Sequence, residues 1–254
     1  MHNVCRPVCV INLESRPDRR EFMEVQCAER GVEFVRIVAH TENDAIVALR
    51  KDGGVSAGEL ACTMSHMKAL RTFLETDADA AVVLEDDAVL SRDFRELIAH
   101  QFATAPDLVK LETRRVSVRV GRVRERVSNR YESRRLLSPH YGTCGYIVSR
   151  RLAKKALVEL PQFRGPIDCY FFSERGPILF DEAVFQVVPG ACVPLDELAA
   201  FDASQAARSD IARTRTDVLR TFHGSPLVPR VKQLAATLRD PQAFARRIIP
   251  FADE

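Results

Sequence analysis

Three short strand-like runs, each followed by polar residues, constrain what this chain can fold into more than any other feature. "VCVINL" (8–13) is a continuous apolar run, as expected of a strand covered on both sides, and "VEFVRIVA" (32–39) and "AVVLEDD" (81–87) read as the next strands. Between the first two lies "SRPDRREFMEVQCAERG", with Phe22, Val25 and Ala28 at helical spacing and Gly31 placed to cap its end. A strand, a helix and a strand in that order pair most economically in parallel, through a crossover helix. The reading is an α/β fold with a mixed central sheet.

The remaining segments extend the same pattern. "SAGELACTMSHMKALRTFLE" (56–75) puts Leu60, Met64, Met67, Leu70 and Leu74 on one helical face, with Ser56 and Glu59 at capping-box spacing. "RDFRELIAHQF" reads as a short helix and "DLVKLE" (107–112) as a strand. From 114 to 127 the pattern switches to strict alternation, Val116, Val118 and Val120 against Arg115, Ser117 and Arg119, a strand or hairpin with one basic face that Gly121 can bend. "TCGYIV" (143–148) is a further strand, and "SRRLAKKALVEL" a helix with Ser149 as its N-cap, ended by Pro161. Beyond about residue 200 strand signals cease. The chain becomes an arginine-rich, proline-broken helical pattern, so residues 1–200 form the expected domain and 201–254 a basic helical extension.

Lysine and arginine number 37 against 35 acids in 254 residues, a balance that gives nucleic acid no bulk attraction. Seven cysteines, an odd number without a C-x-x-C pair, fit thiols in a reducing compartment better than a disulfide frame or a structural zinc site. No stretch approaches the roughly 20 apolar residues that span a bilayer, so the expected location is cytoplasmic. The basic amphipathic pieces of the extension add one further expectation, peripheral contact with the anionic inner face of a membrane.

In open α/β sheets, ligands gather at the carboxyl ends of the strands, where loops and helix N-termini meet. Asn12, Leu13, Arg16, Arg19 and Arg20 follow the first strand, His40 the second, and Glu85, Asp86 and Asp87 the third. Carboxylates beside arginines suit a diphosphate with a hard divalent cation, since Mg²⁺ or Mn²⁺ takes one or two carboxylates and phosphate oxygens. Each element has a plainer reading. The acids fit a solvated turn, Arg20 a surface pair with Glu24, His66 a hydrogen-bonded core histidine, and Glu59 the reciprocal cap of Ser56.

The blocks "VINLESRPDRRE", "FVRIVAH", "GELACTMSHMKAL", "AVVLEDDAVL", "TCGYIVSRRLAKKAL" and "GPIDCY", in this order, resemble glycosyltransferase family 25 over residues 8 to 211. That family includes lipopolysaccharide and lipooligosaccharide hexosyltransferases and collagen galactosyltransferase domains. The resemblance implies a GT-A, Rossmann-like nucleotide-sugar fold and an inverting, metal-assisted transfer of galactose or glucose from a UDP sugar to a saccharide or glycolipid acceptor such as lipopolysaccharide core. By the same resemblance, Asn12 to Arg20 hold the nucleotide with Ser65 and His66. Glu85 and Asp86 lie near the donor, Asp87 binds Mn²⁺ or Mg²⁺, and His223 completes the metal shell. Asp168 is the leading general base, with N-capping of the helix that begins there as its plainer role, and Glu59 and Asp181 are fallback bases. The chain departs from the family at "AHTENDAI", where A-x-D-G is usual, and at Ala61, where glycine is common. The altered loop motivates the competing expectation of a non-catalytic binding module that docks a membrane or partner. Nucleotidyl transfer, a third reading, lacks a Gly-rich phosphate loop.

Overall fold

A computed structural model describes residues 5–48, 55–198 and 246–253. The chain opens with β1 (Val8–Asn12), α1 (Pro17–Glu29) and β2 (Val35–Val38), then α2 (Glu42–Ala48), α3 (Ala57–Leu74) and β3 (Ala80–Glu85). β4 (Ala88–Leu90), α4 (Phe94–Ile98), β5 (Leu108–Lys110), β6 (Ser117–Arg126) and β7 (Glu132–Leu136) follow. β8 (Gly145–Ser149), α5 (Arg150–Glu159), α6 (Ile167–Phe172), β9 (Val184–Val188), β10 (Cys192–Pro194) and β11 (Arg246–Ile248) complete the described chain.

Among the described residues, nine strands form one mixed sheet in the order β11-β6-β7-β9-β5-β8-β3-β1-β2, and β4 pairs with β10 in a separate ribbon. β1 lies parallel to β2 and β3, with Cys9 opposite Val35 and Val83. β8 runs antiparallel to both β3 and β5, so β1, β2, β3 and β5 all end at the same edge.

The apolar runs of β1 and β3 have a direct cause. Successive side chains of a strand point to opposite faces, and both faces are covered. Val8, Val10, Val82 and Leu84 pack with Met23 and Cys27 of α1 and Phe94 and Leu97 of α4. Cys9, Ile11, Ala81 and Val83 pack on the other face with Met67, Leu70 and Phe73 of α3 and with residues of α5 and α6. Each fully buried Phe or Leu stabilises the fold by about 1.5–3 kcal/mol relative to exposure.

Local signals behave as their chemistry requires. Ser56 and Glu59 form the capping box of α3, Ser149 accepts from the Leu152 amide at the start of α5, and Gly31 takes φ +61° at the end of α1. Two expectations are corrected. The buried face of α1 is Arg19, Met23, Gln26 and Cys27, while Val25 is 53% exposed; polar side chains bury there because they have partners across the helix, described below. Beyond residue 200 the chain is not without strands, because β11 pairs antiparallel with β6, Arg247 opposite Val118. Ile249, Phe251 and Ala252 then bury, and Pro250 is compatible with this because it lies just past the edge strand. The expected helical character of 201–245 lies outside the described residues. None of the seven cysteines is in a disulfide, and no helix among the described residues is long and apolar enough to cross a membrane.

Candidate active site

A cleft of about 420 Å³ opens where β1, β2 and β3 end, lined by Leu13, Arg19, His40, Ser65, His66 and the three acids, among others. Glu85 is the last residue of β3, and Asp86 and Asp87 make the turn into β4. The strand direction thus delivers three consecutive carboxylates to one opening, and each meets a different environment.

Asp86 is buried and held from two sides. Asn12 Nδ2 donates to its Oδ2 at 2.8 Å and Arg19 Nη1 to its Oδ1 at 3.1 Å. Asn12 is itself fixed, donating to the Arg16 carbonyl and accepting from Arg36 Nε, both at 3.0 Å. Burial raises the Asp86 pKa, and Arg19 and Asn12 offset only part of the rise. The first turn of α1 is therefore welded to the triplet, which accounts for the burial of Arg19.

Glu85 is 28% exposed. Thr143 Oγ1 donates to its Oε1 at 2.6 Å, and His66 Nε2 lies 3.2 Å from the same oxygen. Burial opposes its charge, but His66, Thr143 and the field of Arg114 prevail and hold the carboxyl at about 2. His66 is fully buried, its Nδ1 2.9 Å from the Tyr146 hydroxyl.

Asp87 is the outlier. Its Oδ1 is buried with no hydrogen-bond partner. Burial, and then repulsion from Glu85, push its pKa up to about 7 against a partial counter-pull from Arg19, with Asp86 and Asp196 adding to the rise. Asp87 thus presents an unsatisfied carboxylate oxygen beside two other acids.

Behind the triplet lies a second charged network that sequence reasoning missed. Lys110 and Glu112, both fully buried, are 2.9 Å apart, and Arg114 Nε donates to the other Glu112 oxygen at 2.8 Å. Lys110 also donates to the Gly142 carbonyl at 2.6 Å, and the Cys144 amide to Glu112 at 3.0 Å. Desolvation opposes the Glu112 charge, but Lys110 and Arg114 outweigh it and lower the Glu112 pKa. His140 donates from Nδ1 to Gln186 Oε1 at 2.7 Å; burial and the Lys110 charge drop its pKa to about 3, so the neutral ring is the form present. Gly142 has φ +100°, and a Cβ there would come within 2.3 Å of a Glu112 oxygen. Its trace in the sequence is the period-two charge of Lys110, Glu112 and Arg114, which reads equally as a wet strand edge.

Asp168 lies in the first turn of α6 and is buried, but it does not cap that helix. Its Oδ2 accepts from the Gly142 amide at 3.1 Å, one residue before the Thr143 that donates to Glu85. Asp168 and the triplet thus hold the same short loop. Ser65 accepts from the His40 amide at 2.8 Å and donates to the Ala61 carbonyl at 2.7 Å, tying the altered loop to α3.

Other candidates sit elsewhere. Arg16 pairs with Asp18, 2.7 Å, and Arg20 with Glu24, 2.6 Å, and neither lines the cleft. Arg20 borders a separate depression of about 690 Å³ on the flank of α1 and β2. The Glu59 carboxylate accepts from the Ser56 amide and hydroxyl, both at 2.9 Å. Asp181 is exposed in the loop before β9 and does not line the cleft. His223 lies outside the described residues.

The sequence is similar to those of known proteins. The chain is 30% identical over 209 residues to "Lacto-N-neotetraose biosynthesis glycosyltransferase LgtE" of Neisseria meningitidis serogroup B, covering 72% of each. It is 21% identical to "Lipooligosaccharide biosynthesis protein lic2B" of Haemophilus influenzae, covering 95% of this chain and 98% of that one. It is 26% identical to "Procollagen galactosyltransferase 1-B" of Xenopus laevis, over 69% of this chain and 31% of that one. The family model described as "Glycosyltransferase family 25 (LPS biosynthesis protein)" matches residues 5–171, a span that contains Asn12, Arg19, the acid triplet, Glu112 and Asp168. The chain belongs to glycosyltransferase family 25, and it is a transferase enzyme.

Proposed function

We propose that this enzyme moves a hexose, galactose or glucose, from a UDP sugar to a saccharide acceptor of the lipopolysaccharide-core type, with inversion and with help from Mn²⁺ or Mg²⁺. The orphaned Asp87 Oδ1 in the cleft carries the proposal. A hard, doubly charged ion is the ligand that satisfies such an oxygen among acids, and carboxylate oxygens are the donors it prefers. When bound, the ion supplies Lewis-acid neutralisation of charge on a departing diphosphate. The chain's own residues do the rest. Arg19, held by Asp86, places a fixed cation in the cleft. Glu85, kept ionised by His66 and Thr143, offers an acceptor to sugar hydroxyls.

Asp168 is the proposed base. It takes the proton of the acceptor hydroxyl as that oxygen attacks the anomeric carbon from the face opposite the leaving group. Its bond from Gly142 aligns the carboxylate, and the Lys110–Glu112 pair anchors the same loop from beneath. In this reading residues 1–200 are a GT-A domain, and 201–254 extend it. Arg246, Arg247 and Ile248 are exposed on the edge strand β11. They suit peripheral contact with an anionic membrane at its cytoplasmic face.

The test is a thermal-shift screen of nucleotide sugars with and without Mn²⁺. UDP-galactose or UDP-glucose should raise the melting temperature in a Mn²⁺-dependent way, corresponding to about 2.7 kcal/mol at a hundredfold excess over Kd. Asp87→Asn should lose both this response and transfer. Unchanged transfer in that variant would remove the basis of the proposal.

A further inference from the structure

Besides the hard-oxygen position at Asp87, the cleft floor holds a donor set of different character. Cys62 and His66 are four residues apart on α3 and so share a helix face. Glu85 reaches them from the end of β3. One ligand atom from each of Cys62, His66 and Glu85 lies within 4.8 Å of the others. From these positions we infer that the three residues form a binding site for a thiophilic divalent cation of the zinc class, distinct from the Mn²⁺ or Mg²⁺ position. This rests on the proposed function only in placing a donor sugar in the same cleft.

Zinc holds thiolate, imidazole and carboxylate ligands at about 2.0–2.3 Å, and around a tetrahedral ion such ligands stand about 3–4 Å apart. The His66 Nε2 to Glu85 Oε1 separation is 3.2 Å, and the Cys62 sulfur lies within 4.8 Å of a ligand atom of each. On binding, the Cys62 thiol gives its proton to solvent, and the proton on His66 Nε2 leaves that nitrogen, so that the one ring N–H remaining, on Nδ1, donates to the Tyr146 oxygen. Thiolate, neutral imidazole and carboxylate then carry two negative charges against two positive, so no net charge is buried. A set with sulfur and nitrogen selects zinc, cobalt or cadmium over magnesium and manganese.

The outer contacts are also in place. A ligating histidine needs a partner on its second nitrogen, and the Tyr146 hydroxyl lies 2.9 Å from His66 Nδ1. Thr143 steadies Glu85. Cys62, His66 and Glu85 all line the cleft, so a fourth position opens toward it, as in sites with exchangeable ligands. An ion there occupies the carboxylate that the donor reading assigns to sugar recognition. Zinc is therefore expected to inhibit the Mn²⁺-supported reaction by competing with the donor.

The experiment is a Co²⁺ titration of the donor-free full chain, followed by absorption. One equivalent should produce a thiolate-to-cobalt charge-transfer band and tetrahedral d–d bands. Cys62→Ser should abolish the charge-transfer band, and Tyr146→Phe should weaken binding about tenfold. Asp87→Asn should retain the band while losing the Mn²⁺-dependent donor response, so the two readings fail separately. No charge-transfer band in the wild type, or one that persists in Cys62→Ser, overturns the inference. The unaltered protein gives an independent check. Zn²⁺ should selectively block alkylation of Cys62 as mapped by peptide mass spectrometry, and equal labelling with and without Zn²⁺ counts against the site.

Discussion

Asp87→Asn should make the metal-free protein more stable while removing its activity, and the gain should grow with pH. In the fold the Asp87 pKa rises from its ordinary 3.8 to about 7, because burial and the neighbouring Glu85 charge disfavour ionisation. A group raised in this way favours the folded state below its unfolded pKa, and that contribution is lost as pH climbs through the folded value. From 3.8 to about 7 the unfolded chain releases a proton that the folded chain keeps, at a cost of about 1.4 kcal/mol per pH unit. Asparagine has the same shape and no proton to lose. The stability difference between variant and wild type should therefore widen by about 2–3 kcal/mol between about pH 5 and about pH 8. For a chain of this length that corresponds to about 5–10 °C in melting temperature.

Glu85, held at about 2, loses its own contribution only as pH falls from 4.5 toward that value, so it does not blur the window. The measurement is urea or thermal unfolding of both proteins in chelator at several pH values, then with Mn²⁺ added. Mn²⁺ should stabilise the wild type and leave the variant unmoved. A gap that stays constant or narrows as pH rises would refute the view of Asp87 as an uncompensated buried carboxylate, and with it the argument for a cation there.

Glu112→Gln removes the carboxylate that neutralises Lys110 and Arg114. It should cost about 3–5 kcal/mol in chemical denaturation, and a second change, Lys110→Met, should recover part of that loss. His140 is held neutral by burial and Lys110, its pKa lowered from 6.5 to about 3. Its contribution is whole above 6.5 and declines by up to about 1.4 kcal/mol per unit as pH falls toward 3, so His140→Gln should flatten the acid side of the stability profile. Asp168→Asn should lower kcat about 10²–10⁴-fold with little change in donor affinity, measured by steady-state transfer and calorimetric donor binding. An equal loss of donor affinity would instead mark Asp168 as only a support of the Gly142 loop.

β1 and β3, which carry Asn12 and Glu85 to the cleft, were legible because burial on two faces leaves a hydropathy trace that alternation cannot mimic. The face of α1 was not. Phe22, Val25 and Ala28 are apolar at the right spacing, yet Arg19 and Gln26 take the buried positions. Gln26 donates to the Ala88 carbonyl at 2.6 Å and accepts from the Leu90 amide at 2.9 Å, doing for β4 what a neighbouring strand would do. A polar side chain that satisfies someone else's backbone cannot be told from a solvated one until the fold supplies the partner. The same holds for Lys110, Glu112 and Arg114. Their alternation reads as a wet strand edge, and only the placement of β5 between β8 and β9 buries it.

The acid triplet shows where that boundary falls within three residues. Composition presents Glu85, Asp86 and Asp87 as near equivalents, and their position after an apolar run suggests a site without dividing the labour. The division comes from three distant segments. His66 and Thr143 keep Glu85 charged, Asn12 and Arg19 grip Asp86, and Asp87 is left with an oxygen that nothing in the described chain satisfies. Two carboxylates are thus fixed by the protein at the expense of the third. A triplet in which every acid had a partner would be a rigid turn with no affinity to spare; the one left over is what the proposed cation would satisfy.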